Sequence, residues 1–243
     1  MDAIRSMNAE LAILPESQEK RISEFAEAGV PSFILQPKHE SLEVVKESIN
    51  KLGILFGDKD RADELNNMFD EILADVRNSL KDCSANKRIV FMGSSTSEVV
   101  TTEMIQNNII EEAKGINAIA DYDKNNDDVN FESGSYAKVE LETIAKSNPD
   151  FIAIPNYAKF KIEDIYKYPE LANTPAVINK QVYIFPSLIE PWDYSTLSCV
   201  LGICCTANFL HPELYSREKL LNACDKFYKT LYNKTFSAEK LGI

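Results

Sequence analysis

The sequence predicts an α/β protein: two lobes with parallel sheets joined by one long helix, the N-terminal lobe being incomplete. Three features carry that prediction. Short apolar strands alternate with helices near the start of the chain, the mark of βαβ units. The stretch from Asp58 to Cys83 contains no Pro or Gly and repeats Leu65, Phe69, Ile72, Leu73, Val76 and Leu80 at steps of three and four. That spacing puts one apolar stripe along a helix. The alternation then restarts at Arg88. The expected division is 1–57 for the remainder of the N-terminal lobe, 58–83 for the linking helix and 84–243 for the C-terminal lobe.

Residues Met1 to Glu10 read as the tail of a helix, followed by a strand at Leu11–Leu14. A helix at Ser17–Ala28 is closed by Gly29, and Val30-Pro31 leads into a strand at Ser32–Leu35. Ser41 can cap the next helix, whose Leu42, Val45, Ile49 and Leu52 share a face before Gly57 ends it. Only two strands precede the long helix, and the pattern opens midway, so further N-terminal sequence is expected ahead of Met1.

Asp58 or Asp60 can cap the long helix, and acids crowd its first turn, where the helix dipole favours them. At about 1.5 Å per residue it would span roughly 39 Å, more than the roughly 30 Å of a small domain. A helix of that length can run from one compact unit into a second. The competing reading is a surface helix of one larger domain.

Beyond it, strands are expected at Arg88–Met92, Phe151–Ile154 and Val182–Pro186. Helices are expected at Glu103–Ala113, Val139–Ser147, Thr196–Leu210 and Glu218–Tyr232. Pro149 and Pro212 punctuate two helix ends, because the residue before Pro is pushed out of the α region.

Composition narrows the function. Of 243 residues, 44% are hydrophobic and 26% charged, enough to bury a sizeable core. The net charge of −12 argues against nucleic acid, which needs clustered Lys and Arg. No apolar run reaches the roughly 18 residues of a membrane span, and no signal peptide is recognisable. Five cysteines without CxxC spacing, three of them in the apolar tract Cys199–Leu210, read as buried thiols packed as small hydrophobes.

Candidate chemistry is sparse. There is no GxGxxG and no P-loop. His211 precedes Pro212 at a helix end, where it can face the terminal carbonyls. His39 lies beside Lys38 in the loop after a strand, and in parallel sheets such loops line the ligand crevice. Asp121–Glu132 imitates a calcium loop, but Asn126 replaces the turn glycine, so a solvated acidic loop is the better reading. Trp192 follows the last strand in the loop Glu190–Tyr194. Such a loop suits stacking on an apolar or macrocyclic ligand, and an indole plugging the core is the alternative. The polar turn Ser94–Ser97 can hydrogen-bond a ligand or merely turn the chain.

Taken in order, several short stretches resemble the substrate-binding proteins of ABC importers for iron–siderophore complexes, haem and cobalamin. They are Asp2–Ile13, Ala28-Gly29-Val30-Pro31, Ser48–Gly57, Lys114–Ala118, Asn148–Ile152, Val182-Tyr183 and Phe227-Tyr228. The resemblance implies two Rossmann-like lobes joined by one long helix, with ligand in the cleft between them. It also implies more N-lobe strands and an export signal ahead of Met1, and an extracytoplasmic location. Where the family has Pro-Asp, this chain has Ala9-Glu10.

By that resemblance the cleft would be lined by Glu16, Ser17, Gln36, Lys38, His39, Ser94, Ser95, Thr96, Tyr157, Trp192 and Tyr194. Asp2 and Asp193 would pair with permease arginines. The expected function is a monomeric, non-catalytic carrier with an ABC permease as partner, no cofactor of its own, and a ferric siderophore, haem or cobalamin as cargo. His39 is the candidate axial ligand should the cargo be haem. An oxyanion such as molybdate is the alternative cargo. The rival class is an α/β enzyme such as a metal-dependent hydrolase, which would need convergent His and carboxylates.

Overall fold

The computed structural model describes residues 2–36, 40–126, 129, 136–186 and 188–243. The first part of the chain is α1 (Asp2–Ser6), β1 (Ala12–Pro15), a 3-10 segment (Glu16–Arg21), α2 (Ile22–Glu27), β2 (Ser32–Gln36) and α3 (Leu42–Phe56). Strands β1 and β2 pair in parallel as a separate two-stranded sheet. Then comes α4 (Lys59–Ser79), followed by β3 (Lys87–Phe91), β4 (Glu98–Val99), α5 (Ile105–Glu112), β5 (Gly115–Asn117) and α6 (Ala118–Asn126). The remainder is β6 (Ala137–Lys138), α7 (Leu141–Lys146), β7 (Phe151–Pro155), α8 (Ile162–Ile165), α9 (Pro175–Ile178), β8 (Val182–Phe185), α10 (Cys199–Leu210), α11 (Arg217–Tyr232) and α12 (Ala238–Leu241). Strands β5-β3-β7-β8 form an all-parallel sheet, and β4 and β6 an antiparallel ribbon. Parallel sheets thus stand on both sides of α4 in the chain, as the sequence predicts.

The turn between α3 and α4 is built by local chemistry. Ser41 Oγ accepts from the Val44 N–H at 3.2 Å and starts α3. Gly57, at φ +71°, closes it in the left-handed region, where a side chain would be strained. One residue on, Asp58 accepts from the Arg61 N–H at 3.2 Å and starts α4.

The long helix has 21 residues, so it spans roughly 32 Å and stops short of the expected Cys83. Leu80 is its C-cap and is fully buried, and the chain turns there as that side chain enters the core. Phe69, Ile72, Leu73 and Val76 are buried in one cluster with α10 and α11, and α3 packs on another face of α4. The Arg61 guanidinium donates to the Thr230 and Leu231 carbonyls (2.7 and 3.1 Å), which binds the start of α4 to the end of α11.

The solvated acidic loop expected at Asp121–Glu132 begins instead as helix, since Asp121–Asn126 are the end of α6 and Asp121 pairs with Arg88 at 2.5 Å. The segments 98–99, 115–117 and 137–138 are strands too short for any periodicity to mark. Cys199, Cys204, Cys205 and Cys224 are buried free thiols, and burial pushes the Cys199 thiol up. Among the described residues, no helix is long and apolar enough to cross a membrane.

Helix α10 passes very close to the loop after β8. A Cβ at Gly202 would overlap the Trp192 carbonyl oxygen and meet Ile109 Cδ1 at 3.0 Å. Helix propensity favours Ala over Gly by about 1 kcal/mol, whereas overpacking against a backbone atom, which cannot swing aside, costs about 2–3 kcal/mol, the upper part of its usual range. Gly202→Ala is therefore expected to destabilise by about 1–2 kcal/mol in urea unfolding. An unchanged or raised midpoint would show that the loop yields instead.

Candidate functional site

The C-terminal ends of β7 and β8 deliver the site. Tyr157 comes two residues after β7, and Asp193 and Tyr194 stand in the loop after β8. That loop is pinned from behind. Trp192 is 1% exposed and its indole N–H donates to Tyr228 Oη in α11 at 2.9 Å. Ser198 Oγ donates to the Pro191 carbonyl at 2.9 Å. With Trp192 anchored in the core, Asp193 and Tyr194 are turned toward the strand ends.

Tyr157 Oη lies 2.8 Å from Asp193 Oδ2 and 3.2 Å from Tyr136 Oη. The Tyr157 proton is donated to the carboxylate, so Tyr136 is the donor to Tyr157. The rings of Tyr157 and Tyr194 meet edge-on, 5.7 Å between centroids. From the N-terminal part of the chain, Glu40 reaches across. Its Oε2 accepts from the Ile105 N–H at the start of α5, at 2.9 Å, and its own N–H donates to the Glu103 carbonyl.

These groups line a cavity of about 310 Å³, completed by Met104, Gln106, Ser195 and Thr196. Its electrostatics follow from burial without counter-charge. Burial lifts the Asp193 carboxyl to about 6, against the lowering effect of the Tyr157 hydroxyl. Burial also raises Glu40, opposed by the Ile105 N–H, and pushes the Tyr136 phenol up to about 12. The Tyr157 phenol is raised as well, first by burial and then by the neighbouring Asp193 charge. Among the described residues, Asp193 Oδ1 and Gln106 Oε1, both buried, have no hydrogen-bond partner.

The expected residues divide sharply. Tyr157 and Tyr194 meet at the cavity, and Asp193 joins them, although a surface docking role was expected of it. At 1% exposure and bonded to Tyr157, Asp193 cannot offer its carboxylate to a partner's arginine. Trp192 is a core residue and does not line the cavity, because its indole is buried against α11. Ser94 Oγ and the Ser95 N–H both bond Glu98 Oε2 (2.9 and 3.2 Å), so these two donors are used internally, and Thr96 in the same turn does not line the cavity. That hydrogen bonding holds the Glu98 carboxyl below its ordinary range. Glu16 and Ser17 open the 3-10 segment after β1, away from the cavity lining. Gln36 ends β2 and Asp2 opens α1, whereas Lys38 and His39 lie outside the described residues.

Tyr136, Glu40 and Gln106 were not expected. Glu40 follows β2 by the same strand-end logic that selected Lys38 and His39, so the signal existed. Tyr136 and Gln106 carried none. The second histidine, His211, is buried beside Cys83 Sγ (3.6 Å) and the Lys114 carbonyl (3.5 Å), which fits a structural role. Among the described residues, no group of three or more His, Cys, Asp or Glu side chains is arranged to hold a metal ion.

A family model described as periplasmic binding protein matches residues 8–188. Among solved structures, the chain is similar to a periplasmic solute binding protein from Veillonella parvula, with 20% identity, a TM-score of 0.79, and coverage of 99% of this chain and 71% of that one. CeuE of Helicobacter pylori in a Ni-His complex gives 18%, 0.75, 99% and 73% in the same order. MolA of Haemophilus influenzae bound to molybdate gives 16%, 0.79, 97% and 76%. Identities this low show likeness of fold alone. No curated protein sequence matches the chain.

The Asp193 carboxyl allows a test of the site. Among the described residues, Tyr157, Tyr136, Tyr194 and Glu40 are its titratable neighbours around the cavity, and none of them is a cation. The folded carboxyl titrates at about 6 against an ordinary 3.8, so its proton stabilises the fold fully below the lower value. That contribution is lost as pH rises through the higher one. Asp193→Asn escapes the loss, and Asn can still accept from Tyr157. It is expected to be more stable than the parent by roughly 2–3 kcal/mol at neutral pH, with the gain gone near pH 4. Urea melts at the two pH values check this, and a less stable variant at neutral pH would contradict it.

Proposed function

The chain belongs to the periplasmic binding protein family, and on that premise we propose that it is the extracytoplasmic solute-binding component of an ABC importer, carrying a metal chelate without transforming it. The family works by capturing a small molecule and passing it to an ABC permease. In this reading, residues 1–57 are the remainder of one lobe, α4 within 58–83 is the strut, and 84–243 is the other lobe. The cargo sits in the cavity between Glu40 and the Tyr136–Tyr157–Asp193 chain, and the protein works as a monomer that binds no nucleic acid.

The observation that carries the reading is the meeting, on one cavity, of Glu40 from the chain before α4 with tyrosines and a carboxylate from the strand ends after it. Residues drawn from both sides of a linking helix suit capture by small movements of the two halves. Strands β1 and β2 run parallel, so Glu16 and Ser17 leave their sheet at the same end as Gln36 and Glu40. That shared edge supports a place for Glu16 and Ser17 on the rim; a docking role for Asp2 rests on the resemblance alone.

At about 310 Å³ the cavity is at the lower end of ligand sites, so a bulky chelate would be held there by one end. Of the cavity residues, Tyr194 is 46% exposed, so its removal should cost binding but little stability. With a panel of ferric siderophores, haem, cobalamin and molybdate, at least one ferric siderophore is expected to raise the melting temperature. Tyr194→Ala should weaken that ligand roughly tenfold by calorimetry while leaving the unliganded melting temperature within a degree or two. A panel in which no metal complex shifts the melt would remove the proposal.

A further inference from the structure

Among the described residues, both buried unpaired atoms of the cavity wall are acceptors. Asp193 Oδ1 and Gln106 Oε1 are buried without partners, on residues only 1% and 3% exposed. Leaving such an acceptor unpaired opposes folding, a cost that a ligand's donors would cancel. Two of the three phenols do not supply those donors. Tyr136 donates to Tyr157 and Tyr157 donates to Asp193, so both protons are engaged and the oxygen lone pairs remain. Glu40 adds a second carboxylate, and the described lining contains no Lys, Arg or His. The exposed face of Tyr194 offers a cation a π surface beside these oxygens. Over longer range, the net charge of −12 draws cations in and turns anions away.

We infer that the cargo is cationic, a metal chelate that presents a positively charged, hydrogen-bond-donating group such as an ammonium to Asp193, Gln106 and Glu40. Oxyanions and anionic catecholate chelates are the classes this wall rejects. The inference rests on the carrier reading and deepens it. An apolar wall would serve a neutral chelate at lower cost, since a buried carboxylate without a counter-charge opposes folding until a cation arrives. Asp193 is therefore maintained against the stability of the empty protein.

The test uses three ferric complexes: a linear trihydroxamate with a terminal ammonium, its N-acetylated neutral twin, and an anionic tris-catecholate. Calorimetry with the full chain near pH 7.5 should show the ammonium form binding roughly tenfold or more tighter than its twin, and the catecholate weakest. In Asp193→Asn and Glu40→Gln the gap between ammonium form and twin should shrink to about twofold, with melts run alongside to show that both variants are folded. Equal binding of the twins, or tighter binding of the catecholate, overturns the charge inference and leaves the carrier reading standing. Failure of all three complexes to bind overturns the charge inference, and overturns the carrier reading too only if no metal complex of the melting-temperature panel binds either.

Discussion

Helix α4 is packed on two sides, and the geometry of the site follows from that constraint. On one face it meets α3, and on another it shares a buried cluster with α10 and α11 through Phe69, Ile72 and Val76. A helix held this way cannot bend without opening its own hydrogen bonds or its packing. Glu40 stands one residue before Ser41, the cap of α3, so its position is set by the α3–α4 contact. Tyr157 and Asp193 stand at the ends of strands covered by α10, so their position is set by the α4–α10 contact. The cavity is the space left between two groups anchored to the same rod.

That rod was legible in the sequence because its signals are redundant. An acidic cap, a stripe at helical spacing and the absence of breakers all agree, and the glycine of the left-handed turn marks where α3 stops. The βαβ alternation was legible for the same reason, since buried parallel strands are short continuous apolar runs. What could not be read were elements of two or three residues. The ribbon of Glu98–Val99 with Ala137–Lys138 exists because Met92, Val99 and Ala137 bury together, and no local pattern announces that. The end of α4 was overshot because Leu80 continues the stripe while leaving the helix for the core.

The site was half legible, and the loop after β8 shows why. Trp192, Asp193 and Tyr194 are consecutive, yet the first fills the core, the second lines the cavity and the third reaches solvent. Strand-end position told that this loop faces a ligand, but not which side chain turns where. The deciding contact is the indole N–H on Tyr228, thirty-six residues further along the chain. Resemblance made Asp193 a surface acid; the same Tyr228 contact, by seating Trp192 inward, leaves the next residue to bury its carboxylate against Tyr157.

A folded chain gains nothing by itself from burying an acceptor it cannot satisfy. Among the described residues, Asp193 Oδ1 and Gln106 Oε1 are unpaired in one wall. Natural cores avoid such groups because the penalty is comparable to a tenth or more of the total stability of a typical domain. Two orphans on one cavity, beside two phenols whose protons are already engaged, are best understood as a site completed from outside. The Trp192 anchor and the Gly202 approach supply the rigidity such a wall needs, because a loop free to move would let Asp193 swing into water and relieve itself. The stiffness behind the site and the unsatisfied chemistry in front of it are thus one arrangement: the packing of α10 and α11 holds the acceptors in place for a cation.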